Sequence, residues 1–503
     1  MIGTREQRSC TFNWSDLNLC AVEAAGLDNC FTEEEIHSAI LQMPTEKAPG
    51  PDGFTGTFYR MCWPIIKSDV LRAFCCLHSL TTGPLHKLNG VSIALLPKKV
   101  DAESVGDYRP ISLIHSFAKI VSKVLALRLA PKLGDLVSAS QSAFVKKRCI
   151  QDNFLYVRNL VRAYHRTRTP ALLLKLDISK AFDSVSWEYL LELLQIRGFP
   201  TRWRNWLALI LSSSSSSVLL NGVAGDAIVH KRGLRQGDPL SPYLFILAID
   251  SLQRLFELAT EEGFLSPLRG RYAKLRLSLY ADDAVIFINP LKQDVDMTIR
   301  LMQRFGDATG LRINLSKSSV ATIRCQDVDG QHSIIFLRQR VEFPITCGMP
   351  LSVGRLRLVH LEPIKDKAGK LSGWQCKLLS RVASACAFKL LAVYLLTVMK
   401  PPKAFIKDFD KIRRRFLWAG NQQLHGGKCK VSWARLQWPI NRSGLGFINL
   451  ELFSRALACA GFGLNGSARE KPWVGMELPI DDRKDDDKGH GEQWPKSKIL
   501  GLD

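Results

Sequence analysis

Two short stretches ending in carboxylates constrain this chain more than any other feature. Ala171-Leu-Leu-Leu-Lys-Leu-Asp177 reads as a buried strand that ends on an acid. Further on, Leu275–Leu279 and Ala284–Ile288 are strand candidates joined by Tyr280-Ala-Asp-Asp283, the layout of a hairpin with two acids at its tip. Carboxylates at the ends of buried strands are costly unless something neutralises them, and a pair at one tip repels itself. Divalent metal ions resolve both problems. Two Mg2+ ions about 3.5–4 Å apart, with Mn2+ as a substitute, bridged by acids from two strands, are the apparatus of in-line phosphoryl transfer. The plain alternative is that Asp282 and Asp283 only shape a turn, so the surrounding sequence has to decide.

Charge narrows the partners. The 503 residues hold 69 Lys and Arg against 47 Asp and Glu, a formal charge of +22, which favours a polyanion: nucleic acid first, an anionic membrane surface second. Thirteen cysteines, with no Cys-x-x-Cys pair, and a start without an apolar signal core fit reduced thiols in the cytosol or nucleus. The longest apolar run, Ala387–Met399, carries Lys389 and is too short to cross a bilayer, so it reads as a buried helix. His425 and Cys429 stand four apart without two further ligands at zinc spacing.

The length predicts about three modules. Thr32 can cap a helix led by Glu33–Glu35, and Lys47-Ala-Pro-Gly-Pro-Asp-Gly-Phe54 must break it. A helix is expected from about Gly56 to Leu80, a strand over Val91–Leu96, and a helix carrying Phe117, Ile120, Val121, Val124 and Leu127 against the core, with Lys119, Lys123, Arg128 and Lys132 on its surface. Ser186 caps a helix that stops at Gly198 and Pro200, and Ser241-Pro242 opens a long apolar helix reaching about Thr260. The run Ser212–Ser217 is expected to be a loop or solvated strand edge. After Ser319 the pattern turns helical and basic, and from about Pro479 polar and acidic.

These segments fall in an order that resembles the reverse transcriptase of non-LTR (LINE-type) retrotransposons, most closely the plant kind. Lys175-Leu-Asp-Ile-Ser-Lys-Ala-Phe-Asp183, Arg235-Gln-Gly-Asp-Pro-Leu-Ser-Pro242, Tyr280-Ala-Asp-Asp283 and Gly310-Leu-Arg-Ile-Asn-Leu-Ser-Lys317 are similar to that family's palm motifs, and Lys47–Gly53 and Asp107–Ser112 to its fingers motifs. The resemblance, from about Phe12 to Trp473, implies an α+β right-hand polymerase with an antiparallel palm sheet packed on helices and a mainly helical thumb. It implies a lead-in and helix over 1–46, fingers over 47–170, palm over 171–325, thumb and a connection-like helical region over 326–475, and a polar, disordered tail over 476–503. The implied activity is RNA-directed DNA synthesis from an RNA template, a DNA primer or nicked target and deoxynucleoside triphosphates. It would run in the cytoplasm and nucleus as a ribonucleoprotein, with no membrane partner.

Roles carry over position by position. Asp177 and Asp282 would hold the metals with the Ile178 carbonyl, and Asp283 would support them. Phe182 would lie under the nucleotide sugar and reject a 2′-hydroxyl, unless it is an ordinary core ring. Gln236, Gly237 and Tyr280 would touch the nucleotide, and Arg109 would grip the triphosphate bidentately. Lys98 or Lys99 would add charge there or simply be solvated, and Lys317 would protonate the pyrophosphate or be a surface lysine. Asp238 shapes a turn, Asp183 supports a helix, and Asp250 meets solvent or an ion pair. Lys146, Lys147 and Arg148 would lie along the template. Lys400, Lys403, Lys407, Lys411, Arg413, Arg414 and Arg415, interleaved with Phe405, Phe409, Phe416 and Trp418, form a basic aromatic stretch that is either a nucleic-acid track or a solvated helix face.

Family members usually carry an endonuclease before the polymerase and often a Cys/His-rich or RNase H-like segment after it. Neither is visible here, so the sequence reads as a truncated piece of a longer polyprotein, or a decaying copy. The six-Ser run and a residue missing near Phe343–Pro350 point the same way. Two other readings stand beside the polymerase: a catalytically silent nucleic-acid-binding relic, which predicts loss of a catalytic acid, and a maturase-like RNA-binding protein, which predicts an intron-binding segment after the thumb.

Overall fold

The computed structural model of the protein describes residues 3–4, 8–45, 47–81, 85–98, 101–314 and 316–325, then shorter stretches at 345–346, 349–351, 356–370, 395–399, 401–419, 429, 431–456, 473 and 476. Among the described residues up to 325, the strands are β1 (Gly90–Pro97), β2 (Tyr108–Ile114), β3 (Ala171–Leu176), β4 (Ser215–Leu220), β5 (Val223–Ala224), β6 (Ile228–Val229), β7 (Leu277–Tyr280), β8 (Asp283–Ile288) and β9 (Ser319–Ile323). Four of them form an antiparallel sheet in the order β7–β8–β3–β9. The rest form a mixed sheet, β2–β1–β4–β5 with β6 on β4, in which β1 and β4 run parallel.

The antiparallel sheet explains why β3 is apolar but for Lys175. Leu172, Leu174 and Leu176 face one core, while Ala171 and Leu173 face another. β8 divides likewise, with Ala284, Ile286 and Ile288 on the first side and Val285 and Phe287 on the second. A strand covered on both faces cannot alternate apolar with polar. The first core is filled by the helices Trp187–Ile196, Ser241–Glu261 and Lys292–Thr309, the second by Ile150–Arg166 and, later in the chain, by Leu361, Phe405 and Phe409. The fold is α+β, and the described residues beyond 356 are mainly helical, with Leu358–Lys370 and Lys403–Ala419 the longest elements there.

Several expected elements form as read. Thr32 Oγ1 accepts the Glu35 N–H, Ser186 Oγ accepts the Tyr189 N–H, and Ser241–Glu261 begins on Ser241-Pro242. Others differ. The helix expected over 56–80 is two helices, Gly56–Met61 and Trp63–His78, because Pro64 cannot donate a backbone N–H and instead starts the second. Ser319–Ile323 is the edge strand β9 rather than the start of a helical region, since it pairs along β3 from Lys175 to Ala171. Arg128 is not a surface charge: it lies over the Phe31 ring and holds Glu35 at 2.6 and 2.7 Å. The helices Ile150–Arg166, Thr201–Ser212 and Lys292–Thr309 were not anticipated, although Phe154, Val157, Leu160, Val161 and Tyr164 give the first a clear apolar stripe. Lys99, His425, Lys400, most of Ala387–Met399 and the tail 477–503 lie outside the described residues.

The serine run is neither a loop nor fully solvated. Ser212 ends a helix and Ser215–Ser217 enter β4, with Ser214 and Ser216 buried. Their hydroxyls hold both ring nitrogens of buried His230, Ser214 on Nδ1 at 3.2 Å and Ser216 on Nε2 at 3.0 Å. Burial, reinforced by Arg235, pushes His230 down to about 4 from an ordinary 6.5. The folded chain therefore stays neutral there while the unfolded chain takes a proton. Stability should fall as pH drops from about 6.5 to about 4 and level off below, with a ceiling of about 3 kcal/mol. Thermal unfolding of the wild type and His230→Gln between pH 7 and 4.5 checks this: the wild type should lose more stability across that interval than the variant.

Candidate active site

Asp177 stands one step past the end of β3, and its backbone is fixed on both sides. Its N–H donates to Ser318 Oγ at 3.1 Å, and its carbonyl accepts the Asn314 N–H at 2.7 Å. Next to it, Ile178 is bridged to Ile313. The two bonds flanking that bridge, Asn314 N–H to the Asp177 carbonyl and Ser179 N–H to the Arg312 carbonyl, leave the Ile178 carbonyl out of the pairing.

The second acidic element comes from the β7–β8 hairpin, closed by the Tyr280–Asp283 pair. β3 and β8 pair from Leu172–Ile288 to Leu176–Ala284, and continuing that register by one residue sets Asp177 opposite Asp283. Opposite residues on antiparallel strands share a face, with Cβ atoms about 5 Å apart. Asp282 is exposed at the tip and Asp283 is half-buried, with Oδ1 at 3.8 Å from Lys175 Nζ. Ala281 takes a left-handed φ of 53°, which costs a non-glycine residue about 1 kcal/mol. Its N–H is held by Gln141 Oε1 at 3.0 Å. On the other flank, exposed Lys317 lies in the turn between Asn314, which donates to the Asp177 carbonyl, and Ser319 at the start of β9.

All the donors at this point are oxygens, which suits a hard cation. Among the described residues no group of three or more His, Cys, Asp or Glu is arranged to hold a metal ion.

A cleft of about 330 Å3 nearby is lined by Phe182, Arg235, Gln236, Gly237 and Pro242, so three of the expected nucleotide residues are brought together. Phe182 stacks on Phe245 at 4.6 Å, which makes it both a packed ring and a wall of the cleft. Gly237 has φ 90° and lies in the turn before the Ser241–Glu261 helix, where an added Cβ would meet the Ser112 carbonyl of β2 at 3.8 Å. Asp238 is buried as a turn former: it pairs with Arg235 at 2.8 Å, accepts the Ser122 hydroxyl at 2.8 Å and accepts the Leu240 N–H at 2.9 Å. Burial raises the Asp183 carboxyl above the usual range, with Lys180 opposing. Gly233 sits against the Asp183 backbone so closely that an added Cβ would fall 2.7 Å from its carbonyl oxygen.

The remaining expected residues divide. Arg109 is exposed on β2, three residues from Ser112 and so roughly 10 Å along the strand, and it does not line the cleft. Lys98 Nζ donates to the Gly106 carbonyl at 2.6 Å, outside the cleft. Lys146 and Lys147 are exposed, but Arg148 turns inward and donates to the Ser138, Gln141, Gly134 and Val137 carbonyls. It is scaffold rather than template contact, because a guanidinium that fills four carbonyls has little left for a phosphate. Arg413 is corrected for the same reason: it is buried, pairs with Asp410 at 2.7 Å and lies over the Trp433 and Phe447 rings. Phe405 and Phe409 are core residues, and Arg414 donates to the Asp410 carbonyl. The exposed basic face of that helix is Lys403, Lys407 and Lys411, with half-buried Arg415 beside it.

An antiparallel sheet whose adjoining strands end in acids, within a mixed α+β fold, is consistent with a polymerase domain. Residues 96–343, just under half of the chain, match the reverse transcriptase (RNA-dependent DNA polymerase) family. The chain is similar to a 149 kDa protein of transposon TX1 from Xenopus laevis, 29% identical over 84% of this chain and 32% of that protein. It also resembles the Pol polyprotein of the type-2 retrotransposable element R2DM from Drosophila melanogaster, 26% identical over 59% of this chain and 27% of the relative. A third relative, the R2 Pol polyprotein of Popillia japonica, is 27% identical over 63% and 43%. The chain thus spans between about a quarter and two fifths of the length of these relatives. Reverse transcriptases generally use divalent metal ions and act on an RNA template, a primer and deoxynucleoside triphosphates. Among the described residues, no helix is long and apolar enough to cross a membrane.

Proposed function

We propose that this protein is an RNA-directed DNA polymerase of a non-LTR retrotransposon, of the plant kind its motifs resemble, extending a DNA 3′ end on an RNA template with two Mg2+ ions. The observation that carries this is the β3–β8 register, which brings Asp177 alongside the Asp282–Asp283 hairpin. Residues 47–170, 171–325 and 326–475 would serve as fingers, palm and thumb, and the protein would work in cytoplasm and nucleus as a ribonucleoprotein. The metal ions would activate the primer hydroxyl and stabilise the departing pyrophosphate. Asp177, Asp282 and the Ile178 carbonyl would hold them, with Asp283 beside the pair. Lys317, in the turn before β9, would give the pyrophosphate a proton. Arg109 would contact the triphosphate, and Lys98 already donates to a carbonyl. Gln236, Gly237 and Tyr280 would touch the nucleotide, while Lys146, Lys147 and the Lys403–Lys407–Lys411 face would track the nucleic-acid backbone without reading bases. The silent-relic reading is disfavoured because all three acids are present.

Primer extension with purified protein, Mg2+, poly(rA) and oligo(dT) tests the proposal: incorporation is expected, and none under conditions where a related enzyme works refutes it. Phe182 supplies a sharper check. Its ring walls the cleft, so Phe182→Val should admit the 2′-hydroxyl and raise relative use of ribonucleotides by roughly tenfold or more. Unchanged sugar discrimination in competition assays would return Phe182 to a purely structural role.

A further inference from the structure

The buried amide of Gln141 reaches the turn that carries the acidic pair, and nothing in the chemistry above uses it. The segment around it runs beside β7: Leu279 N–H donates to the Ser140 carbonyl at 2.8 Å, and Ser142 N–H to the Leu279 carbonyl at 3.1 Å. Where that pairing ends, the Gln141 side chain continues it. Its Oε1 accepts two backbone N–H groups, Ala143 at 2.9 Å and Ala281 at 3.0 Å. Because both partners are donors, the oxygen end of the amide is fixed without ambiguity. Gln141 is fully buried, and its backbone is itself anchored, the carbonyl accepting Arg148 Nη1 at 2.8 Å. Asn153 Nδ2 secures the same edge through the Ser140 carbonyl, Ser278 Oγ and the Leu279 carbonyl.

Ala281 is the left-handed residue immediately before Asp282, so its N–H fixes the Tyr280–Ala281 peptide that leads into the acidic pair. We infer that Gln141 is a positioning residue: its amide oxygen clamps the Ala281 N–H and thereby sets where Asp282 and Asp283 present their carboxylates to the metal ions. This rests on the polymerase reading of the site. Groups that orient metal ligands commonly cost ten- to a hundredfold in metal affinity or activity when removed.

The test compares full-length wild type, Gln141→Met and Gln141→Glu. Met keeps the length of the side chain and removes the acceptor, whereas Glu keeps an acceptor oxygen at the same reach. Three measurements are made: amide hydrogen exchange of the peptide spanning 277–285, Mn2+ affinity by electron paramagnetic resonance, and primer extension across a Mg2+ titration. The Met variant is expected to exchange faster in that peptide alone, to bind Mn2+ about tenfold more weakly, and to need correspondingly more Mg2+ for half-maximal rate, with the KM for nucleotide little changed. The Glu variant should recover the protection. Unchanged exchange or unchanged metal affinity in the Met variant overturns the inference, as does a Glu variant that exchanges as fast as Met. If the wild type incorporates nothing yet binds Mn2+ in a Gln141-dependent way, the polymerase reading falls and the positioning role stands. Global unfolding of the Met variant would appear as exchange throughout the chain; Gln141→Leu then replaces it, and a second global collapse would count against a local clamp.

Discussion

Asp282→Ala is expected to abolish nucleotide incorporation, by about 10^3-fold or more in the single-turnover rate, while leaving the fold intact. The two halves of that expectation have separate causes. Asp282 is exposed at the tip of the hairpin, beyond the last paired residues Tyr280 and Asp283, and contributes nothing to either core. Its removal should therefore leave the thermal midpoint where it was, as for most surface substitutions. Its carboxylate is one of the few oxygen donors able to hold a divalent ion beside Asp177, and groups that act as a unit in catalysis lose nearly everything when one is removed. Asp282→Asn keeps the shape and loses the charge, so it should fall nearly as far. Rapid-quench primer extension at saturating Mg2+ decides the matter, and a variant retaining a tenth of the wild-type rate would refute the assignment of Asp282.

Asp250→Ala should instead destabilise the whole protein, by about 3–5 kcal/mol. Asp250 and Arg197 form an ion pair at 3.0 Å with both side chains fully buried. The carboxylate also accepts the Ser138 N–H at 2.8 Å and the Ser138 hydroxyl at 2.5 Å, and Arg197 Nη1 donates to the Leu136 carbonyl at 2.5 Å. Truncating Asp250 leaves a guanidinium in the core without its counter-charge, a far larger penalty than the net contribution of the intact pair. For the same reason the double variant Arg197→Met with Asp250→Leu should recover much of the loss, since a buried pair is often replaceable by apolar residues of similar volume. Urea denaturation of the wild type and the two variants measures this. A single-variant loss under about 1 kcal/mol would show that water reaches the site.

How far the sequence could be read is best seen in particular residues. Asp250 was assigned to solvent or an ion pair, because a lone acid on an apolar helix carries no sign of its partner; Arg197 lies 53 positions away. Arg148 and Arg413 sit in basic runs that look like nucleic-acid contacts, and composition cannot tell a guanidinium facing solvent from one turned onto backbone carbonyls. The serine run shows the converse: hydroxyls that read as solvated edge are buried because His230 occupies them. Strand β9 was missed because five residues do not establish a period, whereas the helix Ile150–Arg166 had a legible stripe that went unused.

What the sequence determined by itself is the set of ends and breaks: a strand ending on Asp177, a hairpin tipped by Asp282 and Asp283, the capped helix after Ser186, and the long helix after Ser241. These are local, fixed by apolar runs, capping side chains and prolines within a few residues of one another. Register and side-chain direction were decided only in three dimensions. Asp177 meets Asp283 because β3 and β8 pair in one register, and a slip of one residue would turn every side chain of β8 to the opposite core. Gln141 meets Ala281 across 140 positions for the same reason: the contact exists only once the sheet has brought the two backbones together, and no spacing along the chain encodes it.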